Sequence, residues 1–200
     1  MKTIFKILLL SPFLMATTCD DDFPTLYSNP IVSTVSPHAT YNINDTIWIQ
    51  GRTSSRAYNT TTRDSIFNDV NLPFCSLRVY KLVLPENRLN TAIAIDKFGF
   101  IQAKGAFTPL ESCNGGFAIE PELSQDSMSY IYKLGLKALA PGDYMIRADD
   151  STINNNNIHT EISNKYQIPQ YLDYIEMTSC YGNSDIQIST AKQLYFFTIL

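Results

Sequence analysis

The chain has 200 residues, 44% of them hydrophobic, with 15 basic and 19 acidic side chains and a net charge of −4. That composition suits a globular chain with one sizeable core. Its acidic balance argues against nucleic acid as a partner and against attachment to anionic lipid through charge.

Lys2 and Lys6 precede an apolar run from Ile7 to Met15, which Ser11 and Pro12 interrupt, and the small residues Ala16, Thr17 and Thr18 lead to Cys19. This is the order of a secretory signal. The run falls short of the about 20 residues that a helix needs to cross a bilayer, so a retained span is not expected. Cys19 directly after small residues resembles the lipobox of bacterial lipoproteins, although Thr18 stands where Gly, Ala or Ser is commoner. The resemblance implies that residues 1–18 are a signal peptide and that Cys19 is the lipidation site and the new first residue. Asp20, Asp21 and Asp22 resemble the acidic tract that favours surface export of Bacteroidota-type lipoproteins. Together these resemblances imply a protein lipid-anchored in the outer membrane, at the cell surface, that meets the membrane through its N-terminal lipid. One acyl chain holds a protein marginally and two or more hold it durably, so no further membrane-seeking segment is required. Loss of Lys2 and Lys6 leaves 13 basic against 19 acidic side chains, a net −6.

Residues 19–30 read as an acidic tether, and residues 31–200 as one β domain with a C-terminal extension from about residue 170. Ile31 to Ser36 is a predicted short strand ended by Pro37. After a turn at Asn44-Asp45, alternation puts Ile47 and Ile49 on one face of a core strand and Trp48 on the other. From Arg52 to Pro73 the alternation lapses, and Thr62 to Asp69 is suited to a turn or two of helix. So long a stretch inside a domain is either a functional excursion or has structure of its own. Ser76 to Leu84 alternates strictly, with Leu77, Val79, Lys81 and Val83 opposite Arg78, Tyr80, Leu82 and Leu84. Ala92 to Ile95, Phe98 to Ala103 and Gly116 to Glu120 are further short strands bounded by Gly and Pro.

Met128, Tyr130, Tyr132, Leu134 and Leu136 share one face of a long predicted strand, Leu139 to Asp143 turns, and Tyr144, Ile146 and Ala148 return. This run resembles the E-to-F connection of immunoglobulin-like and fibronectin-type sandwiches, in which a tyrosine after a Pro-Gly turn pins the corner. Tyr144 is the matching residue. The implied fold is all-β, an immunoglobulin-like antiparallel β-sandwich with extra C-terminal strands. Ile158 to Ile168 is a predicted pairing strand ended by Pro169, and Tyr171 to Cys180, Asp185 to Ser189 and Gln193 to Leu200 supply the extra strands. The last, rich in Tyr and Phe, is expected to be buried in a sheet, because a bare edge of that composition invites aggregation.

Beyond Cys19 the cysteines are Cys75, Cys113 and Cys180, which allow three single bridges. Cys113 and Cys180 both sit in turn-like settings and are the expected disulfide pair. No CxxC or HExxH spacing occurs, His38 and His159 are isolated, and neither a metal nor any cofactor is expected. Asp45-Thr46-Ile47, Asp64-Ser65-Ile66, Asp126-Ser127-Met128 and Asp150-Ser151-Thr152 resemble the acceptor of Bacteroidota-type O-glycosylation. Thr46, Ser65, Ser127 and Ser151 are then the candidate modified residues, provided they are exposed. The carboxylates Asp96, Glu111, Glu120, Glu122, Asp143, Glu161, Asp173 and Glu176 include no pair that spacing alone could assign to glycoside hydrolysis. Asp149-Asp150 with Asn154 to Asn157 lacks the spacing of a calcium loop. Tyr166, Tyr171, Tyr174 and Tyr181 are candidates for a recognition surface. The leading expectation is a binding or accessory module without catalytic residues, its partner a protein or a glycan. An envelope hydrolase and a structural subunit of a surface assembly are the alternatives.

Overall fold

A computed structural model of the chain describes residues 26–69, 72–86, 89–110, 115–149, 151–154, 165–166, 174–179, 182–187 and 193–200. The fold is all-β and sandwich-like. In chain order the strands begin with β1 (Leu26–Ser28), β2 (Ile31–Val35), β3 (Thr40–Tyr41), β4 (Thr46–Ser54), β5 (Arg56–Asn59) and β6 (Asp64–Phe67). There follow β7 (Cys75–Glu86), β8 (Leu89–Ile93), β9 (Phe98–Lys104), β10 (Ala106–Pro109), β11 (Gly116–Glu120) and β12 (Glu122–Leu123). The last six are β13 (Ser129–Ala138), β14 (Gly142–Asp149), β15 (Ser151–Asn154), β16 (Tyr174–Ser179), β17 (Gly182–Gln187) and β18 (Leu194–Ile199).

One sheet runs β12-β13-β4-β2-β15, with β9 also on β13, and the other runs β10-β11-β7-β14-β18-β3, with β8 also on β7. Their inner faces build a single core. Ile47 and Ile49 of β4 and Leu134 and Leu136 of β13 meet Leu77 and Val79 of β7, Tyr144 and Ile146 of β14, and Phe197 of β18. Alternation decides which residues these are, because successive side chains of a strand point to opposite faces. Gly51 of β4 points inward too, where a Cβ would stand 2.0 Å from Tyr132 Cε1. The Tyr132 ring therefore occupies the space over Gly51, and its hydroxyl lies 2.7 Å from Ser33 Oγ. Burial raises the Tyr132 pKa far above the ordinary tyrosine value, so this phenol stays neutral.

Tyr144 behaves as the sequence suggests. Its ring is fully buried, 5.1 Å from Phe98 and stacked 5.7 Å from Phe197, and its hydroxyl donates to the Ala140 carbonyl at 3.0 Å. In the same aromatic cluster the Tyr195 ring lies 6.0 Å from Phe197, and its hydroxyl lies 2.7 Å from the carbonyls of Ser36 and His38. Tyrosine suits both corners because an apolar ring fills the core while a polar tip satisfies a chain reversal.

The outer face of the second sheet is buried as well. Tyr80, Leu82, Met145, Leu194 and Phe196 point away from the main core and are covered by Tyr166 and by Ile175 and Met177 of the β16–β17 hairpin. This explains why β18 is apolar at every position from Leu194 to Phe197: both of its faces are covered. Asp143 fastens the cover, accepting from Lys165 Nζ at 2.7 Å, the Tyr166 hydroxyl at 2.8 Å and Thr198 Oγ1 at 2.7 Å.

Several expectations are corrected. Two pairings are parallel, β15 with β2 and β18 with β3, so the sheets are mixed and not wholly antiparallel. Thr62 to Asp69 forms no helix; β5 and β6 make a hairpin, its turn held by Asn59 Oδ1, which accepts from the Thr61 and Thr62 amides. Met128 does not share the buried face of Tyr130 to Leu136, because β13 starts at Ser129 and Met128 is 68% exposed in the preceding turn. The tether ends inside the fold, since β1 pairs with β5. The C-terminal strand is buried in a sheet as expected, β18 lying between β14 and β3. The strand expected over Ile158 to Ile168 lies largely outside the described residues.

Candidate binding face

With one outer face closed by the C-terminal hairpin, the outer face of the β2–β4–β13 sheet is the broad open surface of the sandwich. The strand register arranges its side chains in rows. Thr34, Gln50, Lys133 and Lys104 form one row across four strands, and Val32, Arg52 and Ile131 form the next. Trp48, Gly135 and Ile101 form a third. Cross-strand partners lie close enough to act together on one ligand.

The first two rows line a groove of about 1010 Å³, which extends to Asn29, Pro30 and Met128. Three of its lining side chains are cationic, Arg52, Lys104 and Lys133, and none is a carboxylate. Nearby acids are engaged. Glu122 accepts from the Gly105 amide at 2.9 Å, and Asp126 accepts from Ser124 Oγ at 2.6 Å and from the Met128 amide at 3.0 Å. Those bonds, with a smaller contribution from the positive Arg52, hold the Asp126 carboxyl below the usual aspartate range. Arg52 is fixed by a bond from its Nε to Ser129 Oγ at 3.1 Å.

Beside the groove, the Trp48 ring lies across Gly135. A Cβ on that glycine would stand 3.1 Å from Trp48 Cζ3 and 2.8 Å from Thr46 Cγ2, so only glycine leaves room for the indole. Lys133 Nζ sits 4.7 Å from the Trp48 ring centre, a cation–π contact. The arrangement can hold a ligand that combines a flat apolar surface with negative charge, with Gln50 and Thr34 available for hydrogen bonds.

The residues singled out in the sequence are dispersed. Cys19, Cys113 and Cys180 lie outside the described residues, and Cys75 is buried in the core. Among the candidate acceptors, Ser65 is exposed on β6, Ser127 is exposed at a turn with φ of 57°, and Thr46 is half-buried beside Lys137. Ser151 is 3% exposed on β15, so a sugar there would require β15 to leave β2.

Tyr166 faces inward onto Asp143 and Tyr174 starts β16, while Tyr171 and Tyr181 lie outside the described residues, as do His159, Asp150, Asn155, Asn156, Asn157, Glu111, Glu161 and Asp173. His38 packs edge-on against Tyr41. Asp96 pairs with Lys97, and Asp149 pairs with Arg78 at 3.2 Å and Arg147 at 2.9 Å. Glu120 is exposed on β11 and Glu176 is half-buried on β16. Among the described residues no three His, Cys, Asp or Glu side chains are grouped to hold a metal ion. None of their helices is long and apolar enough to cross a membrane.

Comparison with protein families, with curated proteins and with solved structures gives no match. The open face must therefore be read on its own chemistry. Its signal was present in the alternation that turns Trp48, Gln50 and Arg52 away from Ile47 and Ile49. What the sequence lacked was the register that brings Lys104 and Lys133 beside them.

Proposed function

We propose that the protein is a lipid-anchored, surface-displayed binding module on an immunoglobulin-like sandwich, and that its open sheet face takes an acidic glycan without transforming it. Support for the immunoglobulin-like reading comes from strand order: β2, β4, β13 and β9 follow the sequence A, B, E, D, and β18, β14, β7 and β8 follow G, F, C, C′. The hydroxyl of Tyr144 on the Ala140 carbonyl adds the corner typical of that class. Cys19 carries the anchor in this reading, and Ser127, exposed at a turn, is the favoured site for a sugar.

The observation that carries the binding function is the cationic groove on a chain of net negative charge. Three cations without a lining carboxylate concentrate positive potential in one concavity, which favours an anionic ligand. A glycan is favoured over a polypeptide because the face presents side chains and not a free strand edge, which removes the usual backbone pairing of an extended peptide. The half-buried indole of Trp48 adds a flat surface suited to a sugar ring.

The test is equilibrium binding of the purified protein to polygalacturonate, with dextran and poly-glutamate as comparison probes. Polygalacturonate should bind, weaken with added salt, and lose at least about tenfold in affinity in the doubly substituted Arg52→Ala, Lys133→Ala protein. Equal binding to dextran, or tighter binding to poly-glutamate, would overturn the acidic-glycan assignment. For the anchor, Cys19→Ala should abolish acyl labelling and release the protein from the membrane fraction.

A further inference from the structure

Four aromatic side chains are exposed to 44% or more: Tyr27 at 62%, Tyr58 at 45%, Phe67 at 44% and Phe74 at 50%. Three of them share a face of the β1–β5–β6 ribbon. Tyr27 stands opposite Tyr58, Tyr58 opposite Ser65, and Arg56 opposite Phe67, so Tyr27, Arg56, Tyr58, Ser65 and Phe67 lie together. The face bears a cation and no carboxylate. Ala57 and Asn59, on the other face, are buried.

The ribbon is fixed to the sandwich. Asn68 Nδ2 donates to Ser28 Oγ at 3.0 Å, the Tyr130 hydroxyl donates to the Asn68 carbonyl at 2.8 Å, and Thr53 Oγ1 donates to the Asn29 carbonyl at 2.8 Å. Its orientation therefore sets the orientation of the whole domain.

The first ribbon strand begins at Leu26, seven residues after Cys19. Seven fully extended steps span at most about 25 Å. With acyl chains on Cys19, this ribbon is then the folded element tied most closely to the bilayer. Tyrosine and phenylalanine beside an arginine match the headgroup zone, where amphipathic rings and long cationic side chains settle with their apolar parts inward. We infer that Tyr27, Tyr58 and Phe67 seat in the interfacial zone of the bilayer that holds the lipid of Cys19, with Arg56 against lipid phosphate. The contact turns a leash into a two-point attachment and covers the exposed edge strand β6. It also excludes a sugar on Ser65, whose side chain lies beside Tyr58 on the docking face.

The inference rests on lipidation of Cys19, and the experiment separates the two. The full protein, isolated from producing membranes, is reconstituted in phosphatidylcholine vesicles containing phosphatidylglycerol. It carries a photoreactive benzoylphenylalanine in place of Tyr58, of Phe67 or, as a control, of the exposed Leu84. Mass spectrometry after illumination should find phospholipid adducts at positions 58 and 67, and none at 84. Adducts absent from 58 and 67, equal at 84, or formed with a second protein copy overturn the docking face, as does a sugar on Ser65 of the membrane-bound protein. The N-terminal peptide of the same sample reports acylation. Acylated protein without adducts sinks the docking face alone, whereas an unmodified Cys19 sinks the anchor and the docking face together.

Discussion

Lys104 of β9 and Lys133 of β13 stand directly opposite each other on neighbouring antiparallel strands. Like charges in that position destabilise a sheet, which ordinarily pairs opposite charges there. Lys133 is partly relieved by the Trp48 ring 4.7 Å away, while Lys104 remains exposed. Such a pair is costly for folding alone and useful if an anion is to sit between the two ammonium groups.

Stability and binding should therefore move in opposite directions when the pair is corrected. Lys104→Glu should raise unfolding free energy by about 0.2–1 kcal/mol, the range of cross-strand pairs. The same change should weaken polygalacturonate binding several-fold. Urea denaturation and a binding titration on one preparation read both quantities; a variant that loses both contradicts the like-charge argument.

Acid should loosen the C-terminal cover through Asp143. Burial alone would raise its pKa, but bonds from Lys165, Thr198 and Tyr166 outweigh that and hold it below the usual value. A folded-state pKa lower than the unfolded one gives stability that is present above the unfolded pKa, near 3.9, and lost as pH falls through the folded pKa. Asp143 contributes fully at neutral pH, and its share disappears below about pH 4. Asp143→Asn should reduce stability at pH 7 by about 1.5–3 kcal/mol, the scale of hydrogen bonds to a charged group. It should also flatten the acid limb of the stability profile. An unchanged slope below pH 4 would show that Asp143 does not carry it.

Tyr144→Phe isolates the corner hydrogen bond. The ring keeps its neighbours Phe98 and Phe197, and what is lost is the donation to the Ala140 carbonyl at 3.0 Å with its longer branch to the Pro141 carbonyl at 3.4 Å. The expected cost is about 1 kcal/mol. Tyr144→Ala, which also opens a cavity among those rings, should cost about 3–5 kcal/mol. A midpoint series in urea separates the two, and equal losses would mean that the hydroxyl does most of the holding.

The corner was legible because it is local: Pro141, Gly142 and Tyr144 are neighbours in sequence and meet in space through a single turn. The alternations around Ile47, Leu77 and Leu134 were legible for the same reason, as a period of two is written along each strand. Pairings across long separations were not. Nothing in the composition of Lys104 and Lys133, 29 positions apart, announces that they face each other. Likewise, alternation sets Tyr80 and Leu82 opposite Leu77 and Val79, but the second core on that face is made with the distant Tyr166, Ile175 and Met177. The segment from Thr62 to Asp69 misled through its polarity, because β6 is an exposed edge strand and carries no buried row to reveal a period of two.

The proposed binding face contains its own reporter, since Trp48 is the one tryptophan in the chain. Gly135→Ala should move it: the new Cβ would meet Trp48 Cζ3 and Ile101 Cβ at 3.1 Å and Thr46 Cγ2 at 2.8 Å, and the indole is the group able to swing outward. Displacement exposes the ring and breaks its contact with Lys133, so emission should shift to longer wavelength and glycan affinity should fall. Gly99→Ala is the matched control on the adjoining strand, where a Cβ meets only Lys137 Cβ at an ordinary 3.7 Å. That variant should keep both the wild-type emission and the wild-type affinity. If Gly135→Ala shifts the emission while binding is untouched, Trp48 is no part of the site and the ligand is held by the Arg52 and lysine rows alone.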